Sequence, residues 1–152
     1  MASQSSLFED YAAYHRDRRN LICHEIGIPL IVLAVVALLR LVTVTLPFWG
    51  GTLAALALIA TIAYYVVAFG RTQRTAVVIA ALGLVMLYYV AAYVTWPWAI
   101  ALFVAGWVFQ FVGHAYEGKS PAFLTNLLHL LVGPVWVASH LVPRSASSSS
   151  AR

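Results

Sequence analysis

Long apolar stretches make up most of the chain, and short polar stretches separate them. A helix needs about 20 apolar residues to cross the hydrocarbon core of a bilayer, so this pattern predicts about five transmembrane helices. Their approximate ranges are 26–44, 52–69, 75–95, 98–112 and 122–142. The fourth stretch is short for a full crossing unless it continues to Glu117, while Gly133 and Pro134 predict that the fifth is kinked or broken.

The segment before the first apolar stretch is polar and aromatic. Residues 8–24 predict one helix or two short helices at the membrane surface, because apolar side chains recur at helical spacing at Leu7, Phe8, Tyr11 and Tyr14. We therefore predict an all-α fold, a polytopic membrane helix bundle of about five transmembrane helices with an N-terminal interfacial helical segment. Residues 1–143 form a single membrane-embedded domain, a turn falls at 46–51, and residues 144–152 are a disordered serine-rich tail.

The composition strengthens the membrane assignment and excludes other classes. Hydrophobic residues make up 62% of the chain and charged residues 9%, which lies outside the range of soluble domains. The net charge of +4 comes without a basic patch interleaved with aromatics, so no nucleic-acid partner is expected, and membrane lipid is the expected contact. No cleavable signal peptide is evident at the N-terminus, and the single cysteine, Cys23, excludes an internal disulfide.

Basic residues between the apolar stretches predict the orientation. Five crossings place the termini on opposite sides of the membrane, and six basic residues then face three. The first group is Arg16, Arg18, Arg19, Arg71, Arg74 and Lys119, and the second is Arg40, Arg144 and Arg152. The protein is thus expected to be integral to a bacterial inner membrane, with its N-terminus in the cytoplasm. Residues 114–121 would lie on the same side as residues 15–24.

A polar stretch near residue 114 carries candidate metal ligands. Gln110, His114 and Glu117 share one face of a helix, because they lie three and four residues apart. An imidazole and a carboxylate on adjacent turns can present two ligands to a metal, with Gln110 supporting one of them. On spacing alone, a solvated or mutually hydrogen-bonded pair is the more common arrangement.

The N-terminal stretch holds two further histidines. On one continuous helix His15 and His24 would lie on opposite faces, about 13 Å apart along the axis. A break near residues 18–20 would let both side chains turn inward, and the side chain of Asn20 could then hydrogen-bond His24 and fix its tautomer. The alternative is that His15 is a surface histidine at the headgroup level and that His24 precedes the first crossing.

Other chemically capable residues are weaker candidates. His129 lies within the last apolar stretch and is expected to bond a neighbouring helix, although a polar group at that depth is a functional candidate. His140 could join a site only if the helix breaks at Gly133 and Pro134. Tyr11 suits packing or a supporting contact beside the histidines. The sequence holds no P-loop, dinucleotide fingerprint, GxSxG elbow or CxxC pair.

The two polar stretches together resemble the 2-hydroxy fatty acid dioxygenase family. The segments are YAAYHRDRRNLICHEIGIPL and, further along the chain, QFVGHAYEGKSPAFLTNLLHLLVGP. The residues that carry the likeness are His15, Asn20, His24, Gly27, Pro29, Gln110, Gly113, His114, Glu117, Pro121, Gly133 and Pro134. The resemblance implies a membrane enzyme of fatty acid α-oxidation that uses Fe(2+) and O2 to shorten a 2-hydroxy fatty acid by one carbon.

By the same resemblance His15, His24 and His114 are expected iron ligands. Many members carry a carboxylate near the end of the last apolar stretch, where this chain has Ser139 and His140. Glu117 is then the carboxylate of a two-histidine, one-carboxylate centre, or else the centre is all-histidine. Asn20, Gln110 and Tyr11 are expected to support the ligands, and Arg16 and Arg19 to attract the carboxylate of the substrate.

Two other functions are compatible with the same residues. A non-catalytic membrane protein could bind lipid or act as a scaffold, using the histidines as interfacial hydrogen-bonding groups. A metal-dependent lipid hydrolase would share the ligands but would work without oxygen. Chain-length preference and oligomeric state lie beyond the sequence.

Overall fold

The computed structural model describes residues 8, 9, 11, 15–46, 49–121 and 128–142. Over these residues the chain is mainly helical, with five α-helices and one β-hairpin. The helices are α1 (Arg18–Leu39), α2 (Leu53–Phe69), α3 (Arg74–Val90), α4 (Trp96–Glu117) and α5 (His129–His140), and a 3-10 turn, Ala91–Tyr93, continues α3. The predicted serine-rich tail and much of the predicted N-terminal interfacial helix lie outside the described residues.

Three helices in the described part of the chain are long and apolar enough to cross a membrane: Arg18–Leu39, Arg74–Tyr93 and Trp96–Glu117. Helix α2 is apolar but has 17 residues, and α5 has 12. At 1.5 Å per residue a 12-residue helix is about 18 Å long, less than the roughly 30 Å of a hydrocarbon core. A membrane-associated helix bundle is therefore supported, and the five complete crossings stay a prediction.

Helix α1 begins earlier than the apolar pattern predicted. Asp17 is its N-cap, and the side chain of Asp17 accepts a hydrogen bond from the Arg19 N–H at 2.8 Å. This hydrogen bond fixes the start of α1, because the first backbone N–H groups of a helix have no partner inside the helix. As a correction, His24 lies almost two turns inside a spanning-length helix rather than in a surface segment. His15 and His24 do not share one continuous helix, because His15 precedes the cap; the interruption falls before residues 18–20, which are helical, rather than within them.

The connection between α1 and α2 is an antiparallel hairpin of β1 (Thr43–Leu46) and β2 (Trp49–Thr52). The two strands take up most of the predicted turn at 46–51, and residues 47 and 48 lie outside the described residues; the all-α prediction did not include these strands. Thr52 then caps α2, with its hydroxyl accepting from the Ala55 N–H at 3.3 Å. Further along the chain, α5 passes through Pro134 as one helix. Of the two predicted alternatives, kinked or broken, the break is therefore wrong and the kink stays a prediction.

Helices α1 and α4 pack closely and run antiparallel. A Cβ atom added at Gly106 would lie 2.9 Å from the carbonyl oxygen of Gly27, and one added at Gly113 would lie 2.9 Å from Cβ of Cys23. Only glycine lets the two backbones approach this closely. The contact brings the N-terminal half of α1 against the C-terminal half of α4. It therefore fixes where His24 and His114 lie relative to each other.

Candidate metal centre

Three histidines from separate parts of the sequence meet at one end of the α1–α4 pair. His15 lies just before α1, His24 within α1, and His114 near the end of α4. One ring nitrogen from each lies within 4.8 Å of the others. The three side chains are only 7%, 1% and 5% exposed. Three buried imidazoles so close together are unusual unless something binds between them, and the predicted meeting of the two polar stretches is confirmed.

Backbone carbonyls determine the tautomers of two of these rings. Nδ1–H of His15 donates to the carbonyl oxygen of Tyr11 at 2.6 Å, and Nδ1–H of His24 donates to that of Asn20 at 3.0 Å. A carbonyl only accepts, so in both neutral rings the proton is on Nδ1 and Nε2 carries a lone pair. Yet these two Nε2 atoms face each other at 3.0 Å. Two lone pairs at this distance repel unless a proton or a cation lies between them.

A metal ion fits this arrangement better than a shared proton. Two nitrogens, each about 2.1 Å from one ion and at about a right angle, would lie about 3 Å apart. A shared proton would need one ring to be charged, and burial lowers the pKa of His15 to about 4. Among the described residues His114 Nδ1 is buried without a hydrogen-bond partner. The three rings thus suit a divalent transition metal such as iron, zinc, nickel or copper.

Glu117 is close by, but the structure does not bring its carboxylate into the histidine group. Its two oxygens accept from the Arg16 N–H at 3.1 and 3.0 Å, the Asp17 N–H at 2.8 Å and Nδ2 of Asn20 at 3.1 Å. The carboxylate therefore ties the end of α4 to the start of α1. In this position Glu117 holds the chain that carries His15 rather than meeting the ring nitrogens.

The side chain of Asn20 does something other than predicted. It is fully buried and donates to Glu117, while its backbone oxygen accepts from His24. The prediction that Asn20 fixes the His24 tautomer is thus correct in effect and wrong in the atom used. A backbone carbonyl four residues earlier in the helix is available to any histidine, so the residue type carried no signal for this contact.

Gln110 lies one turn before His114 on α4 and is 7% exposed. Its Nε2 is buried and has no hydrogen-bond partner in the part of the chain that the structure describes, as is true of His114 Nδ1. The predicted support of His114 by Gln110 is therefore not made through either of these nitrogens. The amide borders the large cavity described below, with a donor to offer.

The two arginines expected to bind substrate lie at the same end of the bundle. Nη2 of Arg19 donates to Asp17 at 2.8 Å, and its guanidinium lies 4.4 Å from the centre of the Tyr116 ring. The hydrogen bonds from Arg19 lower the pKa of Asp17 to about 2. Arg16 is exposed, and its backbone N–H binds Glu117. Arg19 is therefore engaged in local contacts on the surface.

Aromatic rings enclose the histidines. Tyr11 stacks on His15 with ring centres 4.2 Å apart, and Trp136 lies 4.8 Å from His15. Burial raises the pKa of the Tyr11 phenol. The sequence reading missed Trp136, although it lies seven residues after His129 and hence on the same face of α5. These rings limit access of water to one side of the centre.

The remaining two histidines lie outside the three-histidine group. His129 is buried at the start of α5, with its ring 5.9 Å from that of Tyr11 in an edge-on arrangement. His140 is exposed at the other end of α5, where Nδ1–H donates to the carbonyl oxygen of Trp136 at 2.9 Å. The unbroken α5 is the reason that His140 does not reach the centre.

A mainly apolar cavity of about 430 Å³ leads away from the histidines. His24, His114, Gln110 and Tyr11 line it at one end. Along α1 it is lined by Ile28, Ile31, Val32, Val35, Val36 and Leu39. A pocket of this kind, apolar with a few convergent polar groups at one end, suits an amphipathic ligand.

Comparison with known proteins agrees with this geometry. The family model described as "Mpo1-like: 2-hydroxy-palmitic acid dioxygenase Mpo1-like" matches residues 1–73 and 70–145 of the chain. A protein of Saccharomyces cerevisiae named 2-hydroxy-palmitic acid dioxygenase MPO1 is 28% identical over 123 residues, covering 80% of this chain and 69% of the yeast protein. No solved structure matches the chain.

Proposed function

Because the chain belongs to the Mpo1-like family, we propose that it is an Fe(II)-dependent dioxygenase that shortens 2-hydroxy fatty acids by one carbon. The observation that supports this most directly is the pair of Nε2 atoms of His15 and His24 facing each other at 3.0 Å, beside His114. A lipid-binding or scaffold protein would have no need of two opposed lone pairs in a buried site. The apolar cavity that begins at these rings suits a fatty acid.

In this proposal His15, His24 and His114 hold the iron as an all-histidine set. An iron(II) ion with open coordination positions, when bound, supplies the redox chemistry that lets dioxygen react with an organic substrate. The carbonyls of Tyr11 and Asn20 keep the rings in the tautomer that presents Nε2. Glu117 acts as a positioning residue, because its hydrogen bonds hold the segment that carries His15.

The reaction balances without a further co-substrate. Cleavage of the bond between C1 and C2 of a 2-hydroxy acid with one O2 gives the acid that is one carbon shorter, carbon dioxide and water. C1 and C2 together supply the four electrons that reduce O2. The Gln110 amide nitrogen, which lacks a hydrogen-bond partner among the described residues, donates to the carboxylate or the 2-hydroxyl of the substrate. Arg16 and Arg19 add positive potential that attracts the carboxylate to this end of the bundle.

We further propose that the protein is integral to a bacterial inner membrane, with the histidines towards the cytoplasmic side. Arg16, Arg18 and Arg19 precede or begin α1, and Lys119 follows α4, so the antiparallel pair gathers these charges at the end that holds the histidines. Basic residues concentrate on the cytoplasmic side of membrane proteins.

The direct test is oxygen uptake by detergent-purified, Fe(II)-reconstituted protein given a long-chain 2-hydroxy fatty acid, with the unsubstituted acid as control. We expect uptake together with a product one carbon shorter by mass spectrometry. No uptake by folded, iron-loaded protein would overturn the proposal. Turnover of a lipid ester or amide without oxygen would instead support the metal-dependent hydrolase.

A further inference from the structure

The cavity runs along α1 from His24 to the C-terminal end of the helix at Leu39. Its lining residues on α1 recur every three or four positions from His24 to Leu39, so they form one face of the helix. Fifteen residues separate these two positions, which corresponds to about 22 Å along the helix axis. The cavity is therefore a long channel rather than a compact pocket.

Helix α2 forms the facing wall and runs in the opposite direction. The Leu53 N–H donates to the carbonyl oxygen of Val42 at 2.8 Å, so α2 begins beside the point where α1 ends. The α2 residues that line the channel include Ala54, Ala57, Thr61 and Tyr65. Ala54 is consequently at the Leu39 end, and Tyr65 lies nearer the histidines. The side chains of this wall are smallest at its far end.

The polar groups of the channel are unevenly distributed. His24, His114, Gln110 and His129 lie at one end, the Thr61 hydroxyl lies partway along, and the wall near Leu39 is apolar. An amphipathic chain is therefore favoured in one direction only, with its polar group among the histidines.

Resting on the proposed function, we infer that this channel holds the acyl chain of the substrate and measures its length. The carboxyl end lies at the histidines and the methyl end between Leu39 and Ala54. The α2 positions Ala54, Ala57 and Thr61 then determine the longest chain that fits.

Simple geometry gives the expected scale. Carbon–carbon bonds of about 1.5 Å advance an extended chain by about 1.3 Å per carbon, so 22 Å accepts roughly 16 to 17 carbons. One helical turn is about 5.4 Å, or about four carbons. A large side chain placed one turn nearer the histidines should therefore shorten the longest accepted chain by about four carbons.

The test is a series of single substitutions on α2, assayed with 2-hydroxy fatty acids of 8 to about 20 carbons. We expect Ala54→Phe to reject the longest substrates only, Ala57→Phe to lower the limit by about four carbons, and Thr61→Phe by about four more. The matched control is Ile59→Phe, because Ile59 is on the same helix but points away from the channel and is 61% exposed. It should leave the limit unchanged.

Turnover of short chains at the wild-type rate shows that a variant has folded. Where Thr61→Phe does not fold, Thr61→Leu should still lower the limit. An unchanged length limit in all folded variants that turn over substrate would overturn the inference, as would a limit that falls equally in the Ile59→Phe control.

A binding measurement separates this inference from the proposed reaction. Trp107 lines the channel, so brominated fatty acids should quench its fluorescence, and the Trp107→Phe variant gives the background. We expect the variants to lose binding of long chains and to keep that of short ones, in the same order as the turnover limits. If the variants lose binding of long chains in this order but no protein turns over substrate, the proposed reaction is overturned and the channel is supported. Equal binding of all chain lengths by every variant would overturn the channel.

Discussion

The two ends of α1 differ in what surrounds them. At the N-terminal end His24 and Asn20 are packed against α4 through glycine contacts, and specific hydrogen bonds hold the ring of His24 and the side chain of Asn20. At the C-terminal end Val36 and Leu39 border an apolar channel. The first end depends on particular atoms and distances, whereas the second depends on volume. Removal of a histidine that holds the metal should therefore abolish function, whereas substitutions along the channel should change the accepted chain length in graded steps.

Removal of a ligand should break the histidine end most severely. We expect His24→Ala to lose bound metal and to lower turnover by more than about a hundredfold, which exceeds the usual effect of removing a supporting residue. Metal content by mass spectrometry and oxygen uptake measure the two losses. The matched control is His140→Ala, since His140 is exposed and lies outside the three-histidine group, and the change keeps Trp136, on which the His140 ring packs. Full metal content in folded His24→Ala would exclude His24 as a ligand.

Acid should destabilise the histidine end before the channel end. Burial lowers the pKa of His15 to about 4, below its ordinary value of 6.5. The unfolded chain therefore binds the proton more readily, and stability is lost as the pH falls from about 6.5 towards 4. For His15 alone this loss amounts to about 3 kcal/mol. Between about pH 6.5 and 4, the metal-free protein should lose about 3 kcal/mol more unfolding free energy than its His15→Gln variant. An equal loss in the two proteins would contradict the lowered pKa of His15.

A methyl group added between α1 and α4 should disturb the histidine end by moving the two helix backbones apart. In Gly113→Ala the new Cβ would lie 2.9 Å from Cβ of Cys23 and would push α4 away from Asn20. We expect a loss of about 1–3 kcal/mol in unfolding free energy, together with weaker metal binding. The control is Gly83→Ala on α3, where an added Cβ meets nothing within 4 Å. That change should be neutral or stabilising, because alanine favours a helix over glycine by about 1 kcal/mol.

Glu117→Gln distinguishes a positioning residue from a ligand. The amide keeps one acceptor oxygen, but the charge that strengthens the bonds to the N–H groups of Arg16 and Asp17 is lost. We expect the affinity for metal to fall by about tenfold, while the number of metal ions bound per protein at saturation stays the same. Calorimetric or competitive metal titration measures both quantities. A variant that binds no metal at saturation would make the carboxylate a ligand after all.

Gln110→Leu should have the smallest effect and an unusual signature. Since its buried amide nitrogen lacks a partner among the described residues, leucine should raise the stability of the metal-free protein by about 1 kcal/mol. The same change should raise KM for the 2-hydroxy acid about fivefold, which corresponds to one lost hydrogen bond. Unfolding free energy and KM are measured on one preparation. An unchanged KM would mean that the amide does not contact substrate.

The sequence predicted the long helices from hydrophobic length, and the meeting of the two histidine-bearing stretches from an even number of crossings between them. The set of His15, His24 and His114 came from the family resemblance. The start of α1 was placed too late, because an apolar pattern does not register a cap such as Asp17, which precedes charged residues. The role of Glu117 was also not predictable, since its partners are backbone N–H groups a hundred residues away in sequence. Channels between helices depend on helix packing, which no local pattern specifies.

The early start of α1 also affects how a fatty acid would reach the histidines. His24 lies six residues after Arg18, or about 9 Å along the axis of a spanning-length helix. Moving an acyl chain from lipid into water costs about 0.8 kcal/mol for each CH₂ group. Under the proposed function, a centre at that depth with an apolar channel beside it would suit an acyl chain that enters from the bilayer without crossing an aqueous phase. Supply would then follow two-dimensional diffusion within one leaflet, and the least soluble acids would be no harder to capture than the others.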